Sequence, residues 1–370
     1  MEDKYVVKSG KKLRYGYTTG SCATAASKAA AIMALENRII NNVEIDTPKG
    51  WKLDIQIVKA SVKEGLASCA VVKDSGDDPD ITNGTLVFSD VVINHTGEIL
   101  IHGGQGVGRV TKKGLSVKVG EAAINPVPRK TIYEEVRKIL PKELGATITI
   151  RVPDGQRLAK KTFNPRLGII GGISIIGTSG IVEPMSEEAL KESIAIELSI
   201  LKEQGITQCI FAPGNYGRDF CLDKGIPTDH LVKVSNFAGF MIDKAVEYGI
   251  KEIMWVGHIG KLVKISAGIF HTHSKMADGR METLAANAAY LGATQSLIIE
   301  VMESNTTEEA AKYLIDGGFK NVFDTIADKI SIKSKQRSFD EIQFSTILFS
   351  NDFGLLGMDE GAKIKFKELV

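Results

Sequence analysis

The sequence predicts an α+β domain over residues 1–163, followed by an α/β domain over 164–370 with an open, Rossmann-like parallel sheet. Three observations carry that prediction. The chain has 370 residues, more than one hydrophobic core usually serves. Its first part strings together short segments rich in β-branched residues, whereas its second alternates single apolar runs with helix-length stretches. Both patterns are interrupted around Phe163-Asn164-Pro165, where Pro153, Pro165 and the pair Lys160-Lys161 fall close together.

In the first domain, "GYTTGSCATAASKAAA" (Gly16 to Ala31) opens an alanine-rich helix expected from Gly20 to Leu35. Strands are expected at "VEIDT", "KLDIQIVKA", "ASCAVVK" and "TLVFSDVVI", with turns at Asn41-Asn42 and Asn83-Gly84. A helix is expected from Thr131 to Leu140, and "ATITIRV" closes the domain as a strand. In the second domain the strand candidates are "LGIIGGIS", "CIFAPG", "LVKVSN" and "EIMWVGHI", with "FSTILFS" last. Helices are expected at Ser186 to Gln204 and Phe237 to Tyr248, and from Asp278, Thr307 and Asn321 onward. Strands that alternate with helices and end in Gly, Pro, Ser or Asn are the signature of a parallel sheet.

The bulk composition excludes several roles. A net charge of +1 gives no general support to nucleic-acid or membrane-surface binding. Cys22, Cys69, Cys209 and Cys221 form no C-x-x-C pair and no zinc framework, and scattered thiols suit a reducing cytoplasm. No leader-like apolar run opens the sequence, and no stretch reaches the roughly 18 apolar residues of a membrane helix. The expectation is a cytoplasmic protein with no nucleic-acid or membrane partner.

Open parallel sheets bind ligands at the carboxyl ends of their strands. Four expected ends are rich in glycine and small polar residues: "GGISIIGTSGIVEP", "PGNYG", "SNFAG" and "GHIGK". They predict a nucleotide-sized pocket drawing on Gly171, Gly172, Gly177, Thr178, Gly180, Gly214, Asn215, Gly257 and His258. The competing reading is that these glycines only make tight turns. "GGQGVG" (Gly103 to Gly108) lies in the strand-rich part with no helix after it, and reads as a hairpin or loop.

Two polar clusters stand out. "GHIGKLVKISAGIFHTHSKMADGR" sets Lys261 and Lys264 near one helix face, then adds His271, His273 and Lys275. It reads as a basic rim for an acidic ligand or as a plain surface helix with a basic loop; it does not have the ligand set of a metal site, and none is expected. "DSGDDPDITNG" fails the calcium-loop spacing. It is a solvated turn, or its adjacent Asp77 and Asp78 supply a proton acceptor.

Six of these segments, in matching order from about Leu13 to about Arg280, resemble the CbiD family: "GYTTGSCATAASKAA", "DSGDDPDIT", "NPVPRK", "TFNPRLGIIGGISIIGTSGIVEPMSEEA", "SNFAG" and "GHIGKLVKISAGIFHTHSKMADGRME". The tail after about Ser304 carries no matching motif. The resemblance implies transfer of a methyl group from S-adenosyl-L-methionine to ring carbon 1 of a cobalt corrinoid, with cobalt present only within the substrate. The strand ends "GGISIIG" and "APGNYG" depart from the usual methyltransferase signature of acids and close-set glycines. On this view Thr18, Thr19, Ser21 and Lys28 would meet the carboxylate arms of the corrinoid at a helix N-terminus, as would Lys261, His271, His273 and Lys275. The alternative for the first group is that Thr19 or Ser21 caps the helix while its alanines pack on the sheet. Two other functions stay open: a non-enzymatic tetrapyrrole carrier and a nicotinamide-dependent corrinoid reductase. So do a homo-oligomer and contacts with neighbouring pathway enzymes.

Overall fold

The structure, a computed structural model, describes residues 4–8 and 10–369. Met1 to Asp3 and Ser9, part of the stretch read for a leader, lie outside the described residues. The chain divides into two units, Met1–Glu187 and Glu188–Val370.

The first unit is strand-rich. Its early elements are β1 (Tyr5–Lys8), β2 (Lys11–Arg14), β3 (Gly16–Tyr17), α1 (Thr19–Glu36), β4 (Asn42–Asp46), β5 (Lys52–Gln56), β6 (Val58–Lys63), β7 (Leu66–Val72) and β8 (Leu86–Asn94). Then come β9 (Ile99–Gly103), β10 (Arg109–Val110), α2 (Pro126–Arg137), β11 (Gly145–Arg151), α3 (Gly155–Ala159), β12 (Ile169–Ile170) and β13 (Ile181–Val182). The main sheet runs β6-β7-β8-β11-β9; only the β11–β9 pair is parallel. Strand alternation sends Val87, Ser89 and Val91 of β8 to one buried face, and α1 packs there, with α2 beside it. This explains the alanines: the helix is covered on nearly every side, so it has no polar stripe and needs small side chains. Its two mid-helix hydroxyls are satisfied: Ser27 by Ala23 O at 2.7 Å and Ser89 Oγ at 3.0 Å, and Thr24 by Thr131 Oγ1 at 2.8 Å. Helix α2 begins five residues before the expected Thr131, because Pro126 at its first position is already set to helical φ.

The expected boundary at 163/164 is corrected to 187/188. "LGIIGGIS" does not form the first strand of the parallel sheet. Only Ile169 and Ile170 are extended; they pair antiparallel with β10, and β13 pairs antiparallel with β3. The cause is the glycine pair that follows. A Cβ on Gly172 would lie 2.1 Å from Gly106 O, and one on Gly106 would lie 1.8 Å from Val152 O. These glycines let three backbone segments of the first unit touch, so the segment belongs there. The same contacts make "GGQGVG" a packing loop.

The second unit contains α4 (Glu187–Glu203), β14 (Gln208–Ala212), α5 (Asn215–Asp223), β15 (Leu231–Lys233), α6 (Ala238–Glu247), β16 (Glu252–His258) and α7 (Ile259–Ser266). It continues with α8 (Arg280–Tyr290), α9 (Gln295–Glu303), α10 (Thr307–Asp316), α11 (Val322–Arg337), β17 (Gln343–Ser350), β18 (Gly354–Met358) and α12 (Glu360–Leu369). The sheet order is β15-β14-β16-β17-β18, parallel except for β18, which returns antiparallel as a hairpin. Adjacent residues point to opposite faces. Phe211, Ile253, Trp255 and Leu348 enter a core with α4, α6, α7, α8 and α11. Ile210, Met254, Val256, Ile347 and Phe349 meet α5 and α12 on the other face. Both faces are covered, as a parallel sheet requires. From β14 the chain first moves to one side, to β15, then crosses to the other, to β16. The strand order therefore reverses between β14 and β16, and the loops leaving their carboxyl ends part there. The mixed α/β class, with sheets that contain parallel strands, is as expected. Among the described residues no helix is long and apolar enough to cross a membrane.

Candidate functional site

At the mouth of α1 the hydroxyls serve the chain's own backbone. Thr18 is the N-cap, and its Oγ1 accepts the Ser21 N–H at 3.2 Å. Ser21 Oγ donates to Gly180 O at 2.6 Å, and Thr19 Oγ1 accepts the Ile176 N–H at 2.9 Å. Two backbone bonds, Gly20 N–H to Ile176 O (2.9 Å) and Thr18 N–H to Gly180 O (3.1 Å), complete the seam. Gly177, at φ +141°, packs on Thr18, where a Cβ would sit 2.2 Å from Oγ1. Thr18, Thr19 and Ser21 thus fasten the loop that holds Gly171, Gly172, Gly177, Thr178 and Gly180. The hydroxyls bond the chain's own backbone. One expectation is corrected: the five loop residues do not sit at the end of a parallel strand. Lys28 is likewise engaged: its Nζ donates to Glu135 Oε2 at 2.6 Å and Glu44 O at 2.7 Å. The pocket beside the seam, lined by Gly20, Ser21, Thr24, Asp46, Thr131 and Gly180, has room for about one water.

The acidic loop after β7 is also tied down. Asp74 takes the Arg14 guanidinium in a two-point bond at 2.6 and 2.8 Å, which holds its carboxyl below the usual range. Asp77 accepts the Arg14 N–H at 2.6 Å, and Asp78 accepts the Met185 N–H at 2.9 Å. Burial would raise the Asp80 carboxyl, but buried Lys73, 2.5 Å away, and the two hydrogen bonds from Thr82 together outweigh it, and the net shift is downward. These contacts pin the loop to β2 and to the segment after β13.

The crevice at the strand-order reversal is where the second unit's candidates converge. Gly214 and Asn215 follow β14 and open α5; Gly257 and His258 end β16 and open α7. Gly214 faces open space, with nothing within 4 Å of a Cβ placed there. Gly257 is needed for close packing, since its Cβ would lie 2.8 Å from Leu262 and 3.1 Å from Pro213. Asn215 Oδ1 accepts from Lys233 at the end of β15. His258 caps α7: its Nδ1 accepts the Gly260 N–H at 3.1 Å. Its Nε2 lies 2.6 Å from Glu308 Oε1, which fixes Nε2 as the protonated nitrogen of the neutral ring. Glu308 also accepts from the Ser350 hydroxyl and the Asn351 N–H. Burial alone would raise its carboxyl, but these three bonds together hold it below the usual range.

Lys261 and Lys264, both on α7, have different tasks. Lys264 is buried, and its Nζ donates to Thr272 O (3.3 Å) and Ala277 O (2.9 Å), bracing the loop after α7 from beneath. Lys261 reaches back to Pro213 O at 3.2 Å. The braced loop leans on the end of β15. There Thr272 N–H donates to Asn236 O at 2.9 Å, and the His271 ring meets Phe237 edge-on at 5.3 Å. His273 Nδ1 accepts the Lys275 N–H at 3.1 Å. Among the described residues no three His, Cys, Asp or Glu side chains come together as a metal site.

Glu308 and Ser350 are the site residues that sequence reasoning missed. The Thr306-x-Glu308-Glu309 start of α10 signals a helix N-terminus, but nothing local says that its first turn faces a histidine fifty residues earlier.

The family model described as CbiD matches residues 6–184, and that of the CbiD C-terminal domain matches residues 271–360. A protein of Alkaliphilus metalliredigens (strain QYMF) is 53% identical over 96% of this chain and 94% of its own length. The chain belongs to the CbiD family. A second CbiD relative, from Thermoanaerobacter sp. (strain X514), is 50% identical over 98% of this chain and 99% of its own. Both relatives are named cobalt-precorrin-5B C(1)-methyltransferase. A crystal structure of a cobalamin biosynthesis protein (cbiD) from Archaeoglobus fulgidus is 30% identical and covers 74% of this chain and 86% of that one, at a TM-score of 0.39.

Proposed function

We propose that this chain methylates carbon 1 of cobalt-precorrin-5B with S-adenosyl-L-methionine, giving cobalt-precorrin-6A in anaerobic cobalamin biosynthesis. The observation that carries the proposal is identity of 53% and 50%, over nearly the whole chain, to relatives bearing that activity as their name. In this reading the second unit is Rossmann-like, and its crevice between β14 and β16 takes the cosubstrate. The fit rests on the open backbone at Gly214, the close packing at Gly257, and a half-buried ammonium, Lys261, whose only hydrogen-bond partner among the described residues is a carbonyl. The cosubstrate supplies an electrophilic methyl on a sulfonium. Gly214, Asn215, Gly257 and His258 shape the wall against it, while His273 and Lys275 offer a basic rim to the acidic arms of the corrinoid; the ring nitrogens of His271 are buried. Positioning of this kind is worth up to roughly 7–11 kcal/mol, and the dry wall favours a step in which positive charge disappears. The loop from Gly171 to Gly180 is not part of this proposed cosubstrate wall. Four buried free thiols suit a cytoplasmic location.

The test is an anaerobic incubation of the purified protein with cobalt-precorrin-5B and methyl-labelled S-adenosyl-L-methionine, read by mass spectrometry and NMR. One labelled methyl on ring carbon 1 is the expected result. Bound corrinoid with no methyl gain would indicate a carrier, and a mass change by hydrogen that requires a nicotinamide would indicate a reductase.

A further inference from the structure

We infer that the Lys261 ammonium receives the carboxylate of the amino-acid end of the nucleoside cosubstrate; this rests on the reading that the crevice between β14 and β16 is the cosubstrate site. Several buried or half-buried cations have an acid, and others, such as Arg137, spread their donors over several carbonyls. Lys28 has Glu135, Lys73 has Asp80, and Arg151 has Asp90. Lys264, one helical turn from Lys261, has two carbonyls and, 3.8 Å away, Asp278. Lys261 has no carboxylate partner among the described residues. Among those residues its Nζ donates only to Pro213 O, at 3.2 Å, although an ammonium carries three donors.

That arrangement is unfavourable for the protein alone. Burial and the neighbouring Lys264 both act against the charged form of Lys261, in that order. An anion entering the crevice would relieve both. The side chain spans the crevice, since it leaves the first turn of α7 and ends at the residue that follows β14. Gly214, next in the chain to Pro213, has open space where a side chain would stand. A carboxylate resting beside Gly214 would meet the two unused donors of Lys261. The nucleoside is neutral and the α-ammonium and sulfonium are cations, so the carboxylate is the one group of the cosubstrate that this ammonium attracts.

The experiment compares two ligands on the full-length protein by calorimetry: S-adenosylhomocysteine, which carries the amino-acid carboxylate, and 5′-methylthioadenosine, which lacks it. Lys261→Met is expected to weaken S-adenosylhomocysteine at least tenfold and to leave methylthioadenosine within twofold, with Lys261→Arg recovering most of the loss. Equal loss of both ligands would make Lys261 a brace for the crevice and overturn the inference. Unchanged S-adenosylhomocysteine affinity would also overturn it, including the case where only the KM for the corrinoid rises. If the unmutated protein binds neither nucleoside, the cosubstrate reading of the crevice falls, and the inference with it. Thermal melting checks the fold of each variant, and Lys261→Gln replaces Lys261→Met if the latter does not fold.

Discussion

A threonine at a helix start can serve the helix or a ligand, and the spacing of neighbouring residues does not say which. Thr18 serves the helix here, with its Oγ1 on the Ser21 N–H. Replacing an N-cap threonine by alanine costs about 0.5–2 kcal/mol. Thr18→Ala should therefore lower the unfolding free energy measured in urea by an amount in that range and leave the KM for the corrinoid unchanged. A raised KM at unchanged stability would return the hydroxyl to the substrate. The aspartates after β7 pose the same choice. Asp77 and Asp78 each accept a backbone N–H, a task that an asparagine oxygen performs equally well. Asp77→Asn and Asp78→Asn should each keep kcat within about threefold. A loss of the 10²–10⁴-fold typical of a missing general base would identify the proton acceptor.

At the scale of elements, what is legible in the sequence is whatever a short window contains. Helix α1 and strands β4, β7, β8 and β11 follow from composition and alternation, and they form within a residue or so of where the pattern puts them. "LGIIGGIS" misleads because an apolar run ending in glycine looks the same whether the glycine turns towards a ligand or lets two backbones touch; Gly172 does the latter, against Gly106. Glu308 was illegible for the opposite reason. Its partners His258 and Ser350 come from β16 and β17, elements that only the folded sheet makes neighbours. Its contribution can be measured. Glu308→Gln keeps the shape and removes the charge that strengthens three hydrogen bonds, at a cost of about 1 kcal/mol near pH 7. Because the folded carboxyl lies below its usual value, the charge-dependent part is fully present above about pH 5, above the ordinary glutamate value, and is lost as pH falls through the lowered value. The gap in urea midpoint between the wild type and Glu308→Gln should thus shrink below about pH 5. A gap independent of pH would mean that the glutamate acts through packing alone.

For the whole molecule the decisive feature is where one unit ends. The change in periodicity made a mixed α/β class readable, but the boundary between the two units was not, because it is set by pairings between residues far apart in sequence. Residues 164–187 contain β12 and β13, the strand partners of β10 and β3, and the loop whose carbonyls at Ile176 and Gly180 receive the first N–H groups of α1. Without them the first turn of a buried helix would have unpaired donors and lose its Ser21 and Thr19 contacts, each unpaired group costing about 1–3 kcal/mol. That sum is comparable to the whole stability of a domain, about 5–15 kcal/mol. A fragment of residues 1–187 should therefore unfold cooperatively in urea, with dispersed NMR signals beforehand. A fragment ending at 163 should show no cooperative transition, although it keeps the main sheet, both long helices and nearly every strand that the sequence predicts. Equal stability of the two fragments would mean that the Gly171 to Gly180 loop rests on the first unit without supporting it. Its glycines, freed from a packing role there, would have to be reconsidered as ligand contacts.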